Sequence, residues 1–336
     1  MKLFDKSLGS DVVFIAEIGV NHEGSLDKAE ELLRLAAGAG ADAVKFQSYT
    51  PEHYVSRIDS ERFERVTRFG LDEAAHDHLK SVARDCGVNF FSTAVSDDWI
   101  PYLAANCDVI KIASGDLNFE PVIRAAAATE RTVIMSVGLG DLEEIDRAVG
   151  WFKSAAGTDD VADRLILMHC IAAYPTPVDQ ANVANIPFLR ERYGLVTGFS
   201  NHIIGPDACF AAIALGAPVI EVHFTDQKKG RTFRDHALSF EPDDLQSLIK
   251  TGRKIRQSIG RPGTFRQDAE SGNLAPMRKG IVALRDLAAG HTLGADDLGF
   301  ARPAAGYPCT ETGAVIGRTL AADIPAGYPI MPEHLT

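Results

Sequence analysis

Basic residues are in short supply. Lys and Arg number 34 against 46 Asp and Glu, a net charge of −12 over 336 residues. No broad positive surface is left to track nucleic acid or an anionic membrane, so any bound anion has to be held in a local pocket. Cysteine is scarce as well: Cys86, Cys107, Cys170, Cys209 and Cys309 are odd in number, scattered, and never form a C-x-x-C pair. That argues against a disulfide framework and a thiolate zinc site, and it fits a reducing compartment. No apolar run approaches the roughly 20 residues that span a bilayer. The opening MKLFDKSLGSDVVFIAEIG has no long apolar core behind a basic end, so a soluble, cytoplasmic protein is expected. Neither G-x-x-x-x-G-K-[ST] nor G-x-G-x-x-G occurs, which removes the usual nucleotide cradles.

What is present is a rhythm. Eight short apolar runs, VVFIAEIG, AVKFQ, NFFSTA, VIKIAS, RTVIMSVG, RLILMHC, LVTGFSNH and VIEVHF, alternate with amphipathic stretches such as SLDKAEELLRLAAGAG, DEAAHDHLKSVARDCG and DLEEIDRAVGWFKSAAG. Several of these end in the glycine that helix C-termini favour. Strand then helix, eight times, predicts an α/β fold of the (β/α)8 TIM-barrel class over residues 1–260, closed by the helix of EPDDLQSLIKTGRKIRQSIG. A linker is expected over 261–278, where Gly, Pro, Arg and Gln break the rhythm. Residues 279–336 read as a small β-rich domain with an internal repeat, since ALRDLAAGHTLGADDL (283–298) matches LAADIPAGYPIMPEHL (320–335) in its Asp, its Ala-Gly and its spaced aliphatics. Each Ala-Gly turn is expected to join two short strands.

Side chains alternate along a strand, so residues two apart share a face. Parity places Glu17 and Gly19, Lys45 and Gln47, Lys111, Ser200 and His202, and Glu221 and His223 inside the barrel, towards the C-terminal strand ends that carry active sites in this fold. A structural barrel core would be filled with branched aliphatics, because each unpaired buried charge costs several kcal/mol. The competing account, in which Glu17 or Glu221 merely pairs with Lys45 or Lys111 to fill the barrel, leaves the convergence of so many polar groups unexplained. Two histidines with a spare carboxylate suit a divalent cation such as manganese or magnesium, kept open to substrate. The lysines, with the hydroxyls of Thr93, Ser114, Ser136 and Ser200, suit a phosphate and a carboxylate.

At these residues the sequence resembles the sialic acid synthase family, enzymes that condense phosphoenolpyruvate with N-acetylmannosamine or a related sugar. The matching stretches are IAEIGVNHEGSLDKA, GADAVKFQ, FFSTAVS, KIASGD, HCIAAYPTP, GFSNHIIG and EVHFTD, in order through 13–226, with RPAAGYP in the tail. The tail resembles the antifreeze-like (SAF, β-clip) domain of that family. The resemblance implies His202 and His223 as metal ligands, with Mn2+ the usual ion and Mg2+ or Co2+ as alternatives. It places Lys45, Thr93, Lys111, Ser114, Ser136 and Ser200 at phosphoenolpyruvate, and Glu17, Gln47, Tyr174 and Asp235 at the sugar and the forming bond. Asp116 stands where bacterial members often carry glutamate. Arg302 would reach over the sugar's N-acetyl group from the partner subunit of a domain-swapped homodimer.

The sequence departs from the family at three places. Ala172 replaces an asparagine before YPTP; the segment SYTPEHYVSRIDSERFERVTRFG is short and lacks an asparagine-bearing insert that helps hold the sugar; Asn201 replaces an acidic or small residue. The expectation is therefore a metal-dependent synthase making a nonulosonic acid. The alternatives are the same chemistry on a 6-phosphosugar or a diacetylated deoxy sugar, with Arg57, Arg62 and Arg65 available for a phosphate, or a non-catalytic carbohydrate-binding protein.

Overall fold

The computed structural model describes residues 1–263 and 265–336. Met1–Gly260 and Arg261–Thr336 form two compact units. In the first, a two-stranded antiparallel hairpin of β1 (Lys2–Leu3) and β2 (Lys6–Ser7) precedes eight strands: β3 (Val13–Gly19), β4 (Ala43–Ser48), β5 (Asn89–Ala94), β6 (Val109–Ile112), β7 (Thr132–Ser136), β8 (Leu165–His169), β9 (Val196–Asn201) and β10 (Val219–His223). They close in chain order, with β10 pairing β3 and every neighbour parallel. The eight apolar runs are these eight strands.

Helices form where the sequence supplies a cap and an apolar stripe. Ser25 accepts the Lys28 N–H and starts Leu26–Gly38, which buries Ala29, Leu32, Leu33 and Ala36 at the i, i+3, i+4, i+7 spacing of one helix face. Asp72 caps Glu73–Asp85, and Asp141 forms a capping box with Glu144 at the head of Leu142–Ala156. Pro242–Ile259 is the last helix of the unit. These helices pack on the outward set of each strand, including Phe14, Ala16, Ile18, Val44, Phe46, Ile220, Val222 and Phe224. Inside, Ile15, Phe91, Val109, Ile134 and Val219 are buried and close the lower barrel. The hairpin plugs that end, where the ring of Phe4 lies 5.9 Å from that of Phe91. A further helix, Ser60–Phe69, stands in the short segment after β4 and buries only Val66 and Phe69. No helix among the described residues is long and apolar enough to cross a membrane.

In the second unit β11 (Gly280–Ala283) pairs antiparallel with β12 (Leu298–Ala301) over a core of Ile281, Leu287, Leu293, Val315, Leu320, Ile324 and Ile330. Within 261–278 lie a 3-10 stretch, Asp268–Asn273, and a short helix, Leu274–Met277. The internal repeat is real but its turns do not close hairpins. Leu287 and Thr292, flanking one Ala-Gly turn, bridge to Ile324 and Thr319 of the other half. The two repeat aspartates are exchanged in the same way. Asp286 accepts the Ala326 N–H and Asp323 accepts the Ala289 N–H, each at 2.8 Å, so each half caps the turn of the other. A lone repeat would leave both turn N–H groups without these partners, which is why the pair forms one domain.

Candidate active site

Strand register assembles the site. Glu17 of β3 is level with Lys45 of β4 and His223 of β10, Gln47 with Thr93, Thr93 with Lys111, and Glu221 with Ser200. These side chains, with Ser114, Asp116, Ser136, Tyr174, His202 and Asp235, line a cavity of about 1120 Å³ at the C-terminal strand ends. Glu17, Lys45, Gln47, Thr93, Lys111, Ser114, Asp116, Ser136, Tyr174, Ser200, His202, His223 and Asp235, the barrel residues expected at substrate or metal, all line this one space. Arg302 lies in the second unit, exposed, directly after β12.

The charges are organised in two groups. Lys45 Nζ is 2.6 Å from Glu17 Oε2 and 3.7 Å from Glu221 Oε1, and it donates to Thr93 Oγ1 at 2.8 Å. Gln47 Nε2 donates to Glu17 Oε1 at 3.3 Å, and the Ser200 hydroxyl donates to Glu221 Oε1 at 3.1 Å. Burial raises the Glu17 pKa, against the attraction of Lys45. Burial also acts to raise that of Glu221, but Lys45 and Lys111 outweigh it and hold the carboxyl down at about 2. The second group is Lys111, which donates to Ser136 Oγ at 2.6 Å and to the Ile112 carbonyl at 3.1 Å. Burial lowers its pKa. Asp116, on the turn after β6, is pushed up to about 6 by burial despite Lys111, which poises it to exchange a proton near neutrality.

The histidines meet the requirements of metal ligands. His202 donates its Nδ1–H to the Ile171 carbonyl at 2.6 Å, which fixes the tautomer and leaves Nε2 with a lone pair. Burial, reinforced by His223, lowers its pKa to about 4 and keeps the ring neutral. His223 lies 5.3 Å away between ring centroids, and its Nδ1 is buried with no hydrogen-bond partner among the described residues. Glu221 Oε2 is likewise buried and unsatisfied. No group of three or more His, Cys, Asp or Glu stands ready to cage an ion among the described residues. The arrangement fits a cation held by two imidazoles with its remaining positions open, as a substrate-binding metal requires.

The wall is built by loops. Tyr174 packs on His202 at 4.1 Å and edge-on to His223 at 5.9 Å, and the guanidinium of Arg234 stacks 4.4 Å over the Tyr174 ring while its Nε donates to Asp235 at 3.0 Å. The loop carrying Arg234 and Asp235 is tied down. Asn21 Nδ2 donates to the Phe224 carbonyl and to Ser239 Oγ; Asp226 takes Lys28 and Arg231; His236 bonds Thr225 and Glu23. This explains the NHEG stretch after β3. Gly24, at φ 88°, passes so close to the Arg68 carbonyl that a Cβ would collide with it, and the helix Ser60–Phe69 is thereby seated beside the mouth. Asn201 does not face the cavity; its amide closes a turn on the backbone of Ile203.

Sequence reasoning passed over Arg234, Cys170, His53 and Tyr54, all of which line the cavity. His53 and Tyr54 sit in the single-turn helix Pro51–Tyr54, Arg234 in the 3-10 turn Arg234–Ala237 and Cys170 just past β8, all too short for periodicity, and only adjacency to Asp235, YPTP or the short segment could have raised them. Of the three arginines in that segment, Arg62 and Arg65 line the cavity, whereas Arg57 pairs with Glu52 at 3.7 Å and stacks on Phe63.

Known proteins resemble this chain over most of its length. The NeuB family profile matches residues 32–263 and the SAF domain profile residues 278–336. An uncharacterized protein of Methanocaldococcus jannaschii is 34% identical over 316 residues, 94% of this chain and 92% of the relative. The N,N'-diacetyllegionaminic acid synthase of Legionella pneumophila is 30% identical over 335 residues, 96% of this chain and 94% of the relative. Among solved structures, the N-acetylneuraminic acid synthetase of Leptospira borgpetersenii, in complex with citrate, aligns with a TM-score of 0.73 at 30% identity, covering 78% of this chain and 90% of that one. The chain therefore belongs to the NeuB family of phosphoenolpyruvate-dependent sialic acid synthases and carries a SAF domain at its C-terminus.

Proposed function

We propose that this protein condenses phosphoenolpyruvate with an N-acetylated amino sugar, N-acetylmannosamine or a related hexosamine, to give a nonulosonic acid and phosphate. The observation that carries the reading is the placement of Lys111, buried and bonded to Ser136, in the same cavity as the His202–His223 pair. Lys111, Ser136, Ser114, Thr93 and Ser200 hold phosphoenolpyruvate, and Lys45 adds positive charge beside it. His202 and His223 would hold a divalent cation, manganese with magnesium or cobalt as alternatives, which would supply Lewis acidity towards the aldehyde oxygen of the open-chain sugar.

Tyr174, Gln47 and Asp235 orient the acceptor so that its aldehyde carbon faces C3 of phosphoenolpyruvate. Attack forms the carbon–carbon bond and leaves C2 electron-poor; water adds there, and expulsion of phosphate leaves the 2-keto acid. The aldehyde oxygen gains a proton, and the added water, which becomes the keto oxygen, loses two, one as it adds and one to the departing phosphate. Asp116 and Glu17, both with raised pKa values, are the groups placed to exchange them. The SAF domain completes the site in a domain-swapped homodimer, with Arg302 over the partner's mouth at the N-acetyl group, in the cytoplasm.

Arg62 and Arg65 on the cavity wall support a second acceptor, one bearing a 6-phosphate. A diacetylated deoxy sugar, suggested by the legionaminic acid relative, is the third. Incubating the protein with phosphoenolpyruvate, Mn2+ and each of the three sugars, and reading product mass, distinguishes them. A product equal to sugar plus the three-carbon keto acid identifies the acceptor. Free pyruvate as the sole product with all three would overturn the reading.

A further inference from the structure

One group in the cavity has no part in the chemistry above. Cys170, at the end of β8, is 3% exposed, and its Sγ lies 2.8 Å from Ser114 Oγ. The same Ser114 oxygen accepts the backbone N–H of Gly138 at 3.0 Å. Position 138 has no room for a side chain. A Cβ there would lie 2.7 Å from Cys170 Sγ, 2.9 Å from Ser114 Oγ and 3.0 Å from the Cys170 carbonyl. The ends of β6, β7 and β8 therefore meet at one hydroxyl.

A serine hydroxyl offers one donor and two acceptor positions. The Gly138 N–H occupies one acceptor position, and the Cys170 S–H is within reach of the other. Sulfur is a weak acceptor, so the Ser114 proton is better placed on an anionic oxygen than on the thiol. Burial raises the pKa of Cys170, which keeps its S–H intact as a donor at neutral pH. We propose that Cys170 is a positioning residue for the substrate anion: with Gly138 it saturates the acceptor side of Ser114 and directs the hydroxyl proton to phosphoenolpyruvate. This rests on the reading that Ser114 touches phosphoenolpyruvate. The competing role for a buried cysteine is that of a small apolar filler.

Calorimetric titration of phosphoenolpyruvate into the full chain, without acceptor sugar, separates the two. Ser114→Ala should weaken binding by roughly tenfold, and Cys170→Ala by roughly three- to tenfold, as loss of one oriented hydrogen bond implies. Cys170→Ser, whose hydroxyl still reaches Ser114, should bind within about threefold of the parent. The double variant Ser114→Ala with Cys170→Ala should bind no more weakly than Ser114→Ala alone, because the thiol acts only through that hydroxyl. Thermal melting of each unliganded variant establishes folding, and Cys170→Val replaces the alanine variant if the latter is unfolded. Parental affinity in the folded alanine or valine variant, or losses that multiply in the double variant, overturns the positioning role. If Ser114→Ala itself binds like the parent, the placement of phosphoenolpyruvate falls, and this proposal falls with it.

Discussion

Lys45 and Lys111 are equally buried at 3% exposure, yet only Lys45 has a carboxylate within 4 Å among the described residues, Glu17 Oε2 at 2.6 Å. Lys111 is held by a hydroxyl and a carbonyl. The two lysines should therefore respond in opposite ways to removal of their charge. Lys111→Met removes a buried cation with no carboxylate within 4 Å among the described residues, so the unliganded fold should melt no lower than the parent and should bind phosphoenolpyruvate at least tenfold more weakly. Lys45→Met leaves Glu17 and Glu221 facing one another and should lose about 3 kcal/mol or more of stability. Melting curves and calorimetry on the two variants check both directions. Unchanged phosphoenolpyruvate affinity in a folded Lys111→Met variant removes Lys111 from the site.

Asp116 gives a pH signature. Its folded pKa of about 6 lies above the ordinary aspartate value, so the folded state favours the protonated form. The ionised carboxylate consequently costs stability, a cost that builds up as pH rises from about 4 to about 6 and is full above that. Asp116→Asn should melt higher than the parent at pH 7.5, by about 2–3 kcal/mol at most in unfolding free energy, and the gap should close by about pH 4. Turnover by the parent should fall as pH drops through about 6, and that limb should be absent from whatever activity the asparagine variant retains. A stability difference that is the same at both ends of the range contradicts the assignment.

For the histidines the direct readout is metal binding. His202→Ala and His223→Ala should each reduce Mn2+ affinity by at least a hundredfold in calorimetry while leaving phosphoenolpyruvate binding to the metal-free protein largely intact. Parental Mn2+ affinity in either folded variant moves the ion elsewhere.

The SAF domain is tested by complementation. Arg302→Ala should raise the requirement for the amino sugar far more than that for phosphoenolpyruvate. Mixing Arg302→Ala chains with His202→Ala chains should partly restore activity after subunit exchange, because a swapped heterodimer contains one mouth with both histidines beneath an intact arginine. Confirmed heterodimers without activity would place the arginine in cis or outside the site.

How far the sequence led follows from which features are periodic. Strand parity alone put Glu17, Lys45, Lys111, Glu221 and His223 on the inner face, because a two-residue period admits only two answers and the hydrophobic partners Phe14, Ala16, Ile220 and Val222 settle which. Features made by contact between loops carried no such period. The Arg234–Tyr174–His202 stack joins residues up to 60 positions apart. The reciprocal caps of Asp286 and Asp323 join turns that look self-sufficient when read singly. The hairpin that plugs the barrel is two residues per strand, too short for alternation to register. Cys170 reads as an ordinary buried cysteine until Gly138 is seen to bring Ser114 against it.

Phosphate release from phosphoenolpyruvate, followed with and without the acceptor sugar and with and without chelator, tests the central claim most directly. A condensing synthase that works through the His202–His223 metal releases phosphate only when sugar and ion are both present, one phosphate per sugar consumed, and regains activity when Mn2+ is restored. Phosphate released at the same rate without sugar, or in full after chelation, would contradict it.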